Sequence, residues 1–152
     1  MSEQAAVDDA LIARLVHRYC DAVCTGDTDA WIDTWSDDAV WNIGRGPVVG
    51  REAIRSAYES AMDLFESVNQ VSLNGGCDLD RAMGTGSGRW YMSEYALSKS
   101  AHRVFYLGYY DDRYVRNAAG EWKFAARTLS WLYQGPPDLS GSFGPPPGYD
   151  YE

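Results

Sequence analysis

Four long stretches, residues 68–77, 82–97, 102–116 and 121–133, alternate apolar and polar side chains. The linkers between them, Asp78-Leu79-Asp80-Arg81, Ser98-Lys99-Ser100 and Asn117-Ala118-Ala119-Gly120, have hairpin length and turn chemistry. Period-two patterning over so many residues predicts an antiparallel meander with one apolar face. That face has to be covered by something else in the chain. Gly84, Gly86 and Gly88 fall on one side of the second stretch, followed on that side by Trp90, Met92 and Glu94. Glycines at alternate strand positions let a sheet bend sharply or let another element approach closely.

The cover lies upstream, where the period changes to that of a helix. Ile12, Val16, Tyr19 and Val23 share a face within residues 8–25, with Asp8 or Asp9 as N-cap and Gly26 as the stop. Asp27 or Thr28 caps a second helix that places Trp31 and Trp35 one turn apart. Val40, Trp41 and Ile43 begin a strand that ends at Gly44-Arg45-Gly46-Pro47. A third helix follows Gly50, with Ile54, Ala57, Tyr58, Ala61, Met62 and Phe65 as its apolar stripe. Helices first and meander afterwards give an α+β domain over residues 1–134. The expected form is a cone-shaped, curved antiparallel sheet with three N-terminal helices packed on its concave face, enclosing a pocket. Residues 135–152 are a Pro/Gly-rich tail that Phe143 and Tyr149 are expected to anchor to the domain or to a partner subunit.

Aromatic residues make up 14% of the chain, with six Trp and eleven Tyr, which favours a large apolar interior or cavity. The net charge of −9 argues against nucleic-acid and anionic-membrane partners. No apolar run has the length of a membrane span, and MSEQAAVDD lacks the basic and apolar regions of a signal peptide, so a cytoplasmic location is expected. Cys20, Cys24 and Cys77 form no CxxC pair and have no cluster of His around them. They are read as buried core residues in a reducing compartment, with no metal and no cofactor.

Asp27 is the first candidate for chemistry, as an acid at the edge of a Trp-lined apolar space, where a carboxyl pKa can be tuned. The bland reading is a helix cap. Tyr19 falls on the inward face of the first helix. His17 is read as a surface residue, whereas His102, opening the third long strand, could reach the pocket rim and act as base. Glu94 is an ionisable group in the cavity if its face is concave, or an interface residue if convex. Trp31, Trp35, Trp41, Tyr58, Trp90 and Met92 line a ring-binding pocket or simply form the core. Strand alternation points Arg127 away from Trp122 and Phe124, toward an interface or the helices.

Arg18-Tyr19, Gly26-Asp27, Asp37-Asp38-Ala39-Val40-Trp41, Val49-Gly50-Arg51-Glu52-Ala53-Ile54, Gly88-Arg89-Trp90-Tyr91 and Gly120-Glu121-Trp122-Lys123-Phe124 occur in this order. With them, the chain resembles the SnoaL-like branch of the nuclear transport factor 2-like superfamily over residues 8–134. The resemblance implies the cystatin-like cone and an apolar cavity holding an acid or an Asp–His dyad. Asp27 matches the dyad aspartate. The expected histidine position falls to Asn69, which cannot serve as a base. The resemblance thus implies a cofactor-independent lyase or isomerase acting on a small apolar, ring-containing molecule. In it Asp27 moves the proton, and Tyr19 and Asn69 donate to the developing oxyanion. The alternative is a non-catalytic small-molecule-binding module of the same fold. Assembly as a homodimer or higher homo-oligomer is also implied.

Overall fold

The computed structural model describes residues 2–148; Tyr149, one of the two expected tail anchors, lies outside the described residues. Helix α1 spans Glu3–Thr25, longer at its start than the apolar pattern suggested. Ser2 is the N-cap, its Oγ accepting from Ala5 N at 3.2 Å. Asp8 is not a cap. It is buried, accepts from Trp122 Nε1 at 3.1 Å and pairs with Arg116 at 3.0 Å. Gly26 ends the helix at φ 68°, the left-handed conformation that glycine adopts without steric cost.

Helix α2, Thr28–Ile32, is only five residues long. Trp35 therefore opens strand β1, Trp35–Asn42, instead of sharing a helix with Trp31. Strand β2 is Pro47–Val49, and helix α3 runs Arg51–Met62. The meander follows as β3 Phe65–Asp80, β4 Thr85–Ser98, β5 Arg103–Arg116 and β6 Trp122–Gly135. In the tail, Ser142–Phe143 forms β7 against β6.

The sheet order is β2-β1-β6-β5-β4-β3 and the sheet is not closed. It is also mixed rather than antiparallel throughout, because β1 pairs with β6 in parallel. The α-helical stretch between β1 and the meander lets the chain return at the opposite edge, so that β3 begins far from β1. Helix α1 packs chiefly on β3, and α3 on β1. Between helices and sheet lies one aromatic-rich core with Trp31, Trp35, Tyr19 and Phe124 at its centre, each 0–1% exposed.

The glycines of β4 permit tight strand contacts. A Cβ on Gly88 would lie 2.6 Å from Gly76 O and 2.7 Å from Tyr114 Oη. Gly88→Ala is expected to destabilise the fold by about 1–3 kcal/mol, the usual cost of overpacking, read as a lower urea midpoint.

Candidate functional site

Strand register arranges the concave face in rows across β3, β4, β5 and β6. Nearest the β4–β5 turn are Val68, Ala96 and Val104. Next come Gln70, Glu94 and Tyr106, then Ser72, Met92, Gly108 and Trp131. Deeper rows hold Trp90, Tyr110 and Leu129, and then Gly88, Asp112 and Arg127. Trp90 packs in the core with residues of the helices and Met92 is buried, so the face shared by Gly88, Trp90, Met92 and Glu94 is the concave one that the helices cover.

Glu94 is the ionisable centre of the second row. Gln70 Nε2 donates to its Oε2 at 2.8 Å, and Oε1 has no partner among the described residues. Burial pushes the Glu94 carboxyl above its ordinary value, and the Gln70 hydrogen bond only partly offsets this. Its charge in turn raises the pKa of Cys20, Tyr58, Tyr106 and Tyr110, so it lies within electrostatic reach of all four. Burial is the larger cause in each case, taking the Cys20 thiol to about 11 and the Tyr58 and Tyr110 hydroxyls to about 12.

Two cysteines fix Gln70 from α1. Cys20 Sγ donates to Gln70 Oε1 at 3.5 Å, while Cys24 Sγ donates to Gln70 O and accepts from Gln70 N, both at 3.2 Å. Cys24 is exposed and Cys77 half-buried, so only Cys20 is the buried core thiol expected of all three.

The inward position on β3 belongs to Gln70, not to Asn69. Val68 and Gln70 are buried, whereas Asn69 points to the convex side, exposed, with Nδ2 donating to Ser67 Oγ at 3.2 Å. His102 is exposed in the β4–β5 turn, with Nδ1 3.0 Å from Ser100 Oγ, and does not join the concave groups. Asp27 is exposed and caps α2, its Oδ1 accepting from Ala30 N at 2.9 Å. It stands near enough to raise the Tyr58 hydroxyl, after burial and Glu94. Tyr19 lies in the deep rows, its hydroxyl 3.3 Å from that of Tyr110.

Of the apolar candidates, Trp31, Trp35 and Trp41 pack on one another in the core, and Tyr58 stacks on Trp31 at 3.9 Å between centroids. Trp90 is buried, its Nε1 donating to Tyr114 Oη at 3.0 Å. Met92 packs with Tyr110 and Leu129, next to Ile43 and Trp131. Near the rim, Val104, Tyr106 and Trp131 meet Phe143 and Gly144 of the tail around a groove of about 460 Å³. Tyr106 belongs to this groove and is also the register partner of Glu94.

A buried ion pair, Arg127–Asp112, lies in the last of the rows, with Arg127 on the side of Phe124 and not opposite it as strand alternation suggested. Arg127 Nε donates to Asp112 Oδ1 at 2.8 Å and Nη2 to Oδ2 at 3.1 Å. The guanidinium carbon lies 4.0 Å from the Tyr110 ring, 4.1 Å from Phe124 and 4.4 Å from Tyr19. The register slips between Arg113/Ala126 and Tyr114/Phe124, which leaves Ala125 as an extra residue in β6. That bulge reverses the alternation and turns Arg127 to the same side as Phe124. The available signal was on β5, where Asp112 alternates with Tyr110 and Tyr114 and needs a cation once buried.

A family model described as a SnoaL-like domain matches residues 4–128. Among curated proteins, none matches the chain by sequence. Among solved structures, a Novosphingobium aromaticivorans protein provisionally designated a scytalone dehydratase superposes with TM-score 0.84 at 18% identity, covering 99% of this chain and 100% of that one. The hexachlorocyclohexane dehydrochlorinase LinA-type3 of Novosphingobium barchaimii gives 0.76 at 21% identity, over 95% and 97%. A second N. aromaticivorans protein, provisionally designated an aromatic ring hydroxylase, gives 0.76 at 27% identity, over 90% and 94%. The differing designations go with one architecture, three helices on a curved sheet. The chain thus belongs to the SnoaL-like family of the nuclear transport factor 2-like superfamily.

Proposed function

We propose that this protein is a cofactor-independent lyase or isomerase that moves a proton on a small apolar, ring-containing molecule, with Glu94 as the base. The observation that carries this reading is the half-buried Glu94 carboxylate on the concave face, held by Gln70 through one oxygen and open at the other. A carboxylate whose pKa is raised by burial is a stronger base than one in water, and proton removal from carbon needs that. Asp27 is exposed and its Oδ1 is taken by the Ala30 N–H as the cap of α2. Met92, Tyr106 and Trp131 give the apolar contact surface beside it.

Lyases and isomerases of this kind remove a carbon-bound proton, and where that step is reversible a solvent hydrogen returns to the same carbon. The test is deuterium uptake from D2O into candidate ring ketones and halogenated cyclohexenes, followed by NMR. Glu94→Gln is expected to slow exchange at least about a hundredfold, whereas Asp27→Asn leaves most of it. Exchange by the Gln variant at the wild-type rate would sink the assignment. The same variant has a pH signature. The folded state holds the Glu94 proton more tightly than an unfolded chain, whose carboxyl titrates near 4.5. That contribution to stability is complete below 4.5 and is lost as pH rises through the higher folded value. Wild type should therefore lose stability relative to Glu94→Gln as pH is raised from 4.5.

A second reading, binding without turnover, is favoured by the inward Gln70, a residue that cannot titrate. It predicts ligand uptake with no exchange in either protein.

A further inference from the structure

A glutamine side chain ends in two groups of nearly equal shape and opposite sense, a carbonyl that accepts and an NH2 that donates. Gln70 is 6% exposed, so what packs around it decides which way the amide is turned. Its Nε2 donates to Glu94 Oε2 at 2.8 Å, and its Oε1 accepts from Cys20 Sγ at 3.5 Å. Turned over, the amide would set its carbonyl oxygen against an ionised carboxylate and its NH2 against sulfur, a weak acceptor. Burial raises the Cys20 thiol to about 11, so Cys20 keeps the proton that it donates. One turn further along α1, Cys24 meets both Gln70 N and Gln70 O at 3.2 Å and holds the backbone from which the amide projects.

We infer that Cys20 is a positioning residue for the Glu94 base: its S–H keeps the Gln70 NH2 turned toward Glu94, which ties down Oε2 and leaves Oε1 to take the proton. The inference rests on the reading of Glu94 as the base and adds what aims it. An amide suits this post because it has no proton to gain or lose in the ordinary pH range. It donates to Oε2 whether or not Oε1 is protonated, and it does not compete for the proton. The ionisable groups within reach of Glu94 are Cys20 from α1, Tyr58 from α3, and Tyr106 and Tyr110 from β5. Burial raises all four, so each stays neutral while Glu94 titrates. Among the described residues, burial and the Gln70 hydrogen bond are what shift Glu94 itself.

The test follows the Glu94 carboxyl by NMR in full-length protein carrying carbon-13-labelled glutamate. Beside it runs the pH profile of proton exchange on the ring ketones and halogenated cyclohexenes of the deuterium experiment. Gln70→Met, close in volume but without amide groups, should raise the Glu94 midpoint, because the lost N–H favoured the charged form. Cys20→Ala should raise it less, and Cys20→Ser, which restores a donor, should return it toward wild type. Cys20→Val, which keeps the bulk without the donor, gives the same reading where Cys20→Ala does not fold. Above the midpoint, exchange should fall about tenfold in Gln70→Met and severalfold in Cys20→Ala, as expected for one lost hydrogen bond. A base of higher pKa that works more slowly has lost its aim, since higher basicity alone speeds proton removal. Mere loosening of the fold would admit water and lower the midpoint instead. A lowered or unchanged midpoint in the Cys20 variants, or no recovery in Cys20→Ser, would overturn the inference. A wild type that exchanges nothing would overturn the base assignment, while the midpoints still decide whether Cys20 governs Glu94.

Discussion

Asp112→Ala is expected to destabilise the protein by about 3–5 kcal/mol, the cost of leaving a buried charge without its partner. Arg127 is 1% exposed and cannot shed its proton, and its Nη1 already lacks an acceptor. With Asp112 gone, only the faces of Tyr19, Tyr110 and Phe124 remain to hold the guanidinium. Cation–π contacts of about 0.5–2 kcal/mol each do not replace two charge-assisted hydrogen bonds and the neutralisation they bring. For a chain of this length the melting temperature should fall by roughly 10 °C. The control is the double variant Asp112→Leu/Arg127→Met, which removes both charges and should recover most of the loss. A single variant as stable as the wild type would mean that water reaches the pair.

Trp31→Ala is the other large effect, about 3–5 kcal/mol from a cavity that the core cannot collapse into. Its ring has close aromatic neighbours on several sides, Tyr19 at 5.3 Å, Trp35 at 5.4 Å, Trp41 at 5.2 Å and Tyr58 at 3.9 Å. Those neighbours come from α1, β1 and α3, so no single element can move in to fill the space. Trp31→Phe should cost much less, because it keeps most of the ring and also removes the unpartnered Nε1. Urea titration of the two variants measures the difference. A Trp31→Ala loss below about 1 kcal/mol would contradict close packing at this centre.

Periodicity made the architecture legible, since helix and strand periods do not depend on which face is buried. It made the faces legible only where strands run without insertions. On β4 the series Gly86, Gly88, Trp90, Met92, Glu94 keeps one face along its pairing with β5, so Glu94 could be placed conditionally. On β6 the single extra residue Ala125 turns Arg127 inward, and nothing in the local sequence marks it. The Trp31–Trp35 spacing fits a helical turn as well as a helix end followed by a strand, and only the early end of α2 decides between them. Asn69 was placed by analogy of position. A neighbouring residue has the opposite side of the sheet, so an error of one moves the candidate out of the cavity altogether. Gln70, polar and buried, was the residue to find.

The grip of Cys24 on Gln70 has a consequence for the chain's solubility. Strand β3, sixteen residues long, is an outer strand of the sheet. Because Cys24 Sγ meets both Gln70 N and Gln70 O, those groups face away from β4, along the edge where another chain could add a strand. Helix α1 lies along β3, and the thiol occupies both backbone groups at once. The longest open edge of the sheet is thereby stoppered at Gln70, so edge-to-edge fibre growth is denied a start there.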